Sequence, residues 1–399
     1  MDTLCPSSEA EVLDILAAAI GDCVPLAPTG LGTKAGIGRP VKHARLDLSG
    51  LAGVILYEPE ELVVTVRAGT PVDEVVELLA GKGQQLAFEP PVWRTPDGGA
   101  SRGTIGGLVA ANLSGPRRLK AGAVRDHILG VRGVSGRAEA FKAGGRVVKN
   151  VTGYDLARGL AGSWGTLAVL TEVTFKVLPK AETELTLAVA GLAPAHAVEA
   201  LTGAMHLSAD VSSAAHLLAA ESGAPFAQEP RTVLRLEGFV ASVDARAEVV
   251  ARHLAPFGPV ERLEAAASAD VWAGIRDLGS VGEAGEALWR ISLPPASAAV
   301  FADRVAGLEP RRLAFDWSGG LVWLWVDDRL PDLGAAVIRA AIAVCGGGHA
   351  TLIRGQDASR SRIDVFEPQP APLAALSARL KAQFDPAGIL NPGRMGGER

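Results

Sequence analysis

Directly after the apolar run VPLAP (24–28) the chain reads T-G-L-G-T-K-A-G-I-G-R-P, residues 29–40. Four glycines and a proline in that stretch forbid a regular helix or strand. A glycine loop at the end of a strand presents successive backbone N–H groups, a nest that suits a pyrophosphate. Two common nucleotide loops are excluded. Gly30-x-Gly32-x-x-x-Gly36 has one residue more than G-x-G-x-x-G, and Gly36, Gly38 and Pro40 prevent the helix that should follow. Lys34 lacks the preceding glycine and the continuing helix of a P-loop. By itself the loop reads equally well as a surface turn.

A second stretch shifts that balance. T-I-G-G-L-V-A-A-N-L-S-G spans 104–115, and Gly106 and Gly107 precede a predicted short helix over 108–113. That spacing puts free N–H groups at a helix start, a second anion site. Gly98, Gly99 and Gly103 loosen the approach, and residues 89–107 are expected to be irregular. Two cradles in one domain suit a long diphosphate ligand lying between two lobes.

Composition narrows the class. Gly and Pro make up 72 of 399 residues, 47 and 25 respectively, well above the usual share of about 12%. With 48% hydrophobic residues the chain is not low-complexity. Its length fits roughly two or three domains. A net charge of −5 argues against nucleic acid as a partner. Cys5, Cys23 and Cys345 form no C-x-x-C, so neither a disulfide framework nor an iron–sulfur cluster is expected. No apolar run is long enough for a membrane span, and the N-terminus is acidic, unlike a secretory leader. A cytoplasmic protein, peripheral at a membrane only through partners, is the expectation.

The pattern predicts helices over 8–20, 70–80, 154–163, 194–206, 244–255, 296–308, 331–345 and 371–384. Strands are predicted over 24–28, 44–48, 53–57, 62–69, 166–179, 184–192, 232–240, 287–294, 312–317 and 321–326. Residues 123–136 read as turn, strand, turn, and 138–150 as a hairpin turning at Gly144-Gly145. After residue 180 the glycine clusters thin out and two β-α-β patterns about 100 residues apart suggest a duplicated α+β domain. The expected division is therefore 1–180, 181–370 and a terminal piece, 371–399. The terminal D-P-A-G-I-L-N-P-G-R-M (385–395) carries Ile389 and Leu390 in a Pro/Gly-dense tail and is expected to be tied down.

Nine segments in order carry a resemblance. They are GRPV (38–41), EPPV (89–92), GPRR (115–118), VRDHILG (124–130), VVKNVTGYDL (147–156), GSWGTLAVLTEVTFKVLP (162–179), LWRISLP (288–294), GGHAT (347–351) and NPGRM (391–395). With these the chain resembles the flavin-binding family typified by vanillyl-alcohol oxidase and p-cresol methylhydroxylase. Within that family it is most similar to the FAD-binding E subunits of bacterial glycolate oxidases.

The resemblance implies an α+β fold: a two-subdomain FAD-binding lobe of p-cresol methylhydroxylase type, then a cap domain with antiparallel sheet. It implies that Thr29, Gly30, Leu31, Gly32, Thr33 and Lys34 embrace the pyrophosphate. Thr104, Ile105, Gly106 and Gly107 would contact the pyrophosphate and ribityl region. Arg125 and Asp126 would lie near the flavin, Val169 near the adenine, and Arg394 would return to the cofactor. Many relatives tether FAD through a His in a glycine-rich loop; none of the seven histidines lies in 29–38 or 98–107, so non-covalent FAD is expected.

Oxidising a 2-hydroxy acid requires a hydride acceptor, a base for the hydroxyl proton and a cation for the carboxylate. His349 is the candidate base and Arg290 the candidate carboxylate clamp. Relatives that catalyse alone carry several histidines and acids here. His349 stands alone, with Asp357 the first acid after it, so no metal site is expected. The implied role is the FAD subunit of a multi-subunit glycolate oxidase, with a sister flavin subunit and an iron–sulfur subunit as partners. The alternatives are a self-sufficient 2-hydroxy-acid dehydrogenase and a flavin-free structural subunit.

Overall fold

A computed structural model describes residues 3–95, 98–147, 153–218, 229–281 and 285–396. Residues 148–152 of the VVKNVTGYDL motif lie outside the described residues, and with them residues 148–150 of the hairpin expected over 138–150. The chain divides into two compact units. The first comprises Met1–Ser114, Gly122–Lys180 and Pro368–Arg399; the second comprises Gly115–Ala121 and Ala181–Glu367.

The first unit has two cores. Helix α1 (Glu9–Gly21) starts where Ser8 Oγ accepts the Glu11 N–H at 3.2 Å and the Glu11 carboxylate accepts the Ser7 N–H at 2.8 Å. Its Val12, Leu16 and Ala19 face packs on strands β1 (Leu26–Thr29) and β2 (Ala44–Asp47), which pair in parallel. Ile389 and Leu390 of the tail join the same core, and Leu390 bridges Leu26 in parallel.

The second core belongs to a five-stranded sheet. It contains β3 (Val54–Glu58), β4 (Val63–Arg67), β5 (Ile128–Ser135), β6 (Ala140–Gly144) and β7 (Ala168–Lys176), in the order β6-β5-β7-β4-β3. Helices α2 (Val72–Ala80) and α3 (Ile105–Ala111) pack their apolar residues against it, among Val64, Val66, Phe88, Val173 and Phe175. The hairpin differs from the one expected. β6 pairs back onto β5 through a turn at 136–139, where Ala138 takes a left-handed φ of 56°. Gly144 is paired with Gly130 inside the ladder rather than at a turn.

The second unit is built on one eight-stranded antiparallel sheet. Its strands are β8 (Thr183–Ala190), β9 (Ser213–Leu217), β10 (Arg231–Gly238), β11 (Glu261–Leu263), β12 (Glu286–Ser292), β13 (Arg312–Asp316), β14 (Leu321–Asp327) and β15 (His349–Arg354). The order is β11-β8-β10-β9-β13-β14-β12-β15, so each half shows the same connectivity, joined at β9 and β13. Helices α4 (Pro194–Ala204) and α5 (Val240–Leu254) cover one half; α7 (Ala298–Val305) and α8 (Ala335–Val344) cover the other. Strand alternation sends Trp289, Ile291, Leu313, Phe315, Val322 and Leu324 into that helix-covered core. The opposite face receives Arg290, Ser292, Trp323 and Thr351 in register.

Helix α6 (Ala265–Val281), which no periodicity announced, lies on that opposite face: Trp272 donates its indole N–H to Thr186 Oγ1 at 2.8 Å.

Candidate functional site

A cleft opens in the first unit. Thr29, Gly30, Leu31, Gly32, Thr33, Lys34, Thr104, Gly106, Gly107, Val169 and Arg394 line it together. Of the sequence candidates for the cofactor, only three stand apart. Ile105 is fully buried in the sheet core, and Arg125 and Asp126 are absent from the cleft wall. Asp126 instead accepts the Ala123 N–H at 2.9 Å and fixes the turn that leads into β5.

The 29–40 loop forms the floor. Among the described residues, the backbone N–H groups of Gly30 through Lys34 have no protein acceptor. That row of unpaired donors on a cleft is the chemistry a diphosphate satisfies. The loop is held from below by Arg45, which donates to the Gly30 carbonyl at 3.2 Å and pairs with Asp47 at 2.9 Å.

Lys34 adds a buried ammonium. It donates to Thr33 Oγ1 and to the Arg102 carbonyl, both at 2.9 Å, and so ties the first glycine loop to the second stretch. Desolvation by burial brings its pKa down to about 8, and the nearby Asp73 carboxylate opposes the shift. Asp73 also pairs with Arg102 and accepts from Ser101 Oγ at 3.2 Å, fastening residues 101–103 to the start of α2. Gly103 has a φ of 82°, and a Cβ there would stand 2.9 Å from Lys34 Nζ, so a side chain would break the junction.

The second stretch departs from expectation. The helix begins at Ile105, not at 108, so Gly106 and Gly107 lie inside its first turn. Their N–H groups are already used. Ile105 donates to Thr70 at 3.0 Å, Gly106 to Ala68 at 2.7 Å, and Gly107 to Thr104 Oγ1 at 3.3 Å. The glycines serve close packing instead. A Cβ on Gly106 would stand 3.1 Å from Ala68 Cβ, and one on Gly30 would stand 2.2 Å from Thr104 Oγ1.

The tail closes one side of the cleft. Asp385 is buried and accepts the N–H groups of Ile389 at 3.1 Å and Leu390 at 2.8 Å, while Lys381 pairs with it and donates to the Leu390 carbonyl at 2.9 Å. Asn391 then bonds the Leu26 carbonyl through its N–H and the Trp164 carbonyl through Nδ2, both at 2.9 Å. Its buried Oδ1 has no partner. Arg394 donates to the Lys34 carbonyl at 2.9 Å. The tail residues were expected near the cofactor loop; the Asp385 anchor that puts them there had no signal in the sequence.

The two catalytic candidates belong to the second unit. Arg290 on β12 lies opposite Trp323 and Thr351, with its guanidinium over the rings of Trp317 at 5.1 Å and Trp323 at 6.0 Å. Among the described residues it has no hydrogen-bond acceptor. Burial, then the Arg118 charge, lowers its pKa to about 10 against the pull of Asp316. His349 opens β15 opposite Ser292. Desolvation, then the charges of Arg290 and Arg118, lowers its pKa from the ordinary histidine value. Among the described residues, no group of three or more His, Cys, Asp or Glu side chains is arranged to hold a metal ion. No described helix is long and apolar enough to cross a membrane.

Known proteins place this geometry in a family. The FAD binding domain profile matches residues 3–144. The glycolate oxidase subunit GlcE of Escherichia coli is 35% identical over 98% of this chain and 98% of its own length. The glycolate oxidase subunit GlcD of Bacillus subtilis is 32% identical over 46% of this chain and 38% of its own. A D-lactate dehydrogenase of Archaeoglobus fulgidus is 30% identical over 44% of this chain and 38% of its own. Among solved structures, an alkyldihydroxyacetonephosphate synthase superposes with a TM-score of 0.68 at 18% identity, covering 98% of this chain and 75% of that one. The fold is thus the α+β flavoprotein type with an FAD-binding domain, and FAD is the cofactor.

Proposed function

The chain belongs to the family of the glycolate oxidase subunit GlcE, FAD-linked oxidoreductases, and from that premise we propose that it is the FAD-carrying subunit of a multi-subunit 2-hydroxy-acid oxidase acting on glycolate. The observation that carries this reading is the row of unpaired N–H groups from Gly30 to Lys34 on the cleft, beside a buried ammonium. Bound FAD supplies a hydride acceptor. The chain's own residues hold it: the 30–34 amides and Lys34 take the diphosphate, and Arg394 fixes the loop from above. Among the described residues no histidine lines the cleft, which supports FAD held without a covalent bond.

Similarity to both the GlcE and the GlcD subunits supports a partnership with a sister flavin chain, and an iron–sulfur subunit would carry electrons onward. Arg290 is suited to a substrate carboxylate and His349 to a hydroxyl proton. Among the described residues the His349 ring has no hydrogen-bond partner to orient it as a base, and this favours the sister chain as the main site of oxidation.

The test is turnover. The purified chain should oxidise glycolate at less than about one-hundredth of the rate seen after adding the sister flavin and iron–sulfur subunits. Equal rates with and without partners would contradict the subunit reading and favour a self-sufficient dehydrogenase.

A further inference from the structure

We propose that Arg118 and Arg290, sharing the Trp317 indole, form with His349 a binding site for a small carboxylate anion, in which Arg118 is the second guanidinium. The proposal deepens the functional reading, on which it rests for the substrate class.

Three observations converge. The Arg118 guanidinium sits over the Trp317 ring at 4.3 Å and that of Arg290 at 5.1 Å. One indole thus carries two cations, and His349 feels the charge of both. Asp316 is the carboxylate that opposes this charge on Arg290. Arg290, half-buried, finds no hydrogen-bond acceptor among the described residues. Like charges gathered together repel, and a half-buried guanidinium without a protein acceptor leaves its donors unmet. A bound carboxylate relieves both, because it accepts the paired N–H donors of a guanidinium in one plane.

The second observation is how Arg118 is put there. It lies on Gly115–Ala121, the short insertion that belongs to the second unit. That segment is fastened at three points. The Trp317 indole N–H donates to the Gly115 carbonyl at 3.1 Å, Arg117 pairs with Glu237, and Lys120 pairs with Asp210.

The third is backbone strain. Trp317 and Ser318 both take left-handed φ, 51° and 58°, and Gly319 follows at 95°. Two consecutive non-glycine residues in that region are strained. The Trp317 N–H bond to Asp316 Oδ1 at 2.7 Å holds the turn, while the Ser318 hydroxyl is buried without a partner. The strained turn carries the indole that both guanidiniums contact.

The choice of carboxylate over phosphate follows from shape. Flat walls of Trp317 and Trp323 flank the guanidinium of Arg290, which favours a planar anion. Oxalate is the probe, because it is planar and has no C–H bond to oxidise, so binding is read apart from turnover.

Calorimetric titration of the FAD-loaded full chain should show oxalate binding that weakens at least tenfold in Arg118→Met and at least tenfold in Arg290→Met. Arg252→Met, which removes an exposed charge from α5, should stay within twofold of the parent. Inorganic phosphate should bind at least tenfold more weakly than oxalate. Absence of oxalate binding by the parent chain, an unchanged affinity in Arg118→Met, or phosphate as tight as oxalate would each overturn the proposal. Flavin content measured on the same samples tests the functional reading separately. A chain that holds FAD but not oxalate loses only the anion site; a chain that binds oxalate without FAD loses only the flavin reading.

Discussion

Gly30→Ala should weaken FAD binding about thirtyfold while leaving the chain folded. The position needs no unusual φ; what it lacks is room. An added Cβ would lie 2.2 Å from Oγ1, 2.6 Å from Cγ2 and 3.0 Å from Cβ of Thr104. Thr104 is buried, and its hydroxyl caps the Gly107 N–H, so it cannot swing aside without losing the start of α3. Relief must come from the loop, which carries the proposed diphosphate donors away from their places. Overpacking of this kind costs about 2 kcal/mol, and that converts to about thirtyfold in affinity. The cause is checked by a double-mutant cycle. Thr104→Ala removes the two closest atoms, so Gly30→Ala should cost well under tenfold in that background. FAD titration of the apoprotein, followed by flavin fluorescence, reads both. An equal loss in the two backgrounds would show that the Thr104 contact is not the reason.

FAD affinity should also fall as pH rises above 8. The Lys34 ammonium is buried, and desolvation brings its pKa down to about 8 against the pull of Asp73. A diphosphate beside it would favour the charged form and raise that pKa. Below pH 8 the lysine is charged both with and without cofactor, so affinity is flat. Above pH 8 the free protein loses the proton and the loaded protein keeps it, so binding must take up a proton. Affinity then drops by up to about tenfold per pH unit. Lys34→Met should bind FAD more weakly at pH 7 and show no such slope. A flat profile for the parent chain through pH 9.5 would place the diphosphate away from Lys34.

How much of this was legible in the sequence depends on the range of each interaction. VVTV (63–66) and LVWLWV (321–326) read as strands because their β-branched and aromatic residues meet the requirements of a buried sheet locally. The 29–40 loop stood out because glycine and proline report backbone shape directly. Helix α3 was placed three residues late, since glycines read as helix breakers; here Gly106 is required by the close approach of Ala68, a contact with β4's end that no local pattern encodes. Helix α6 was missed because its alanine-rich stretch shows little periodicity, while an anchor such as Trp272 to Thr186 spans 86 residues. Ser318-Gly319-Gly320 looked like an ordinary turn. That it drives Trp317 against Arg118, far back in the chain, is a tertiary fact. The cleft shows the same division: the glycine loop was visible, whereas Asp73 and Asp385, which hold its walls, were not.

The central claim is that the cleft of the first unit holds FAD through backbone amides and Lys34, without a covalent tether. The purified chain should carry one flavin per polypeptide, and acid denaturation should release all of it into the soluble fraction as FAD. Flavin remaining on the precipitated polypeptide, or a colourless chain that takes up no FAD on reconstitution, would contradict the account.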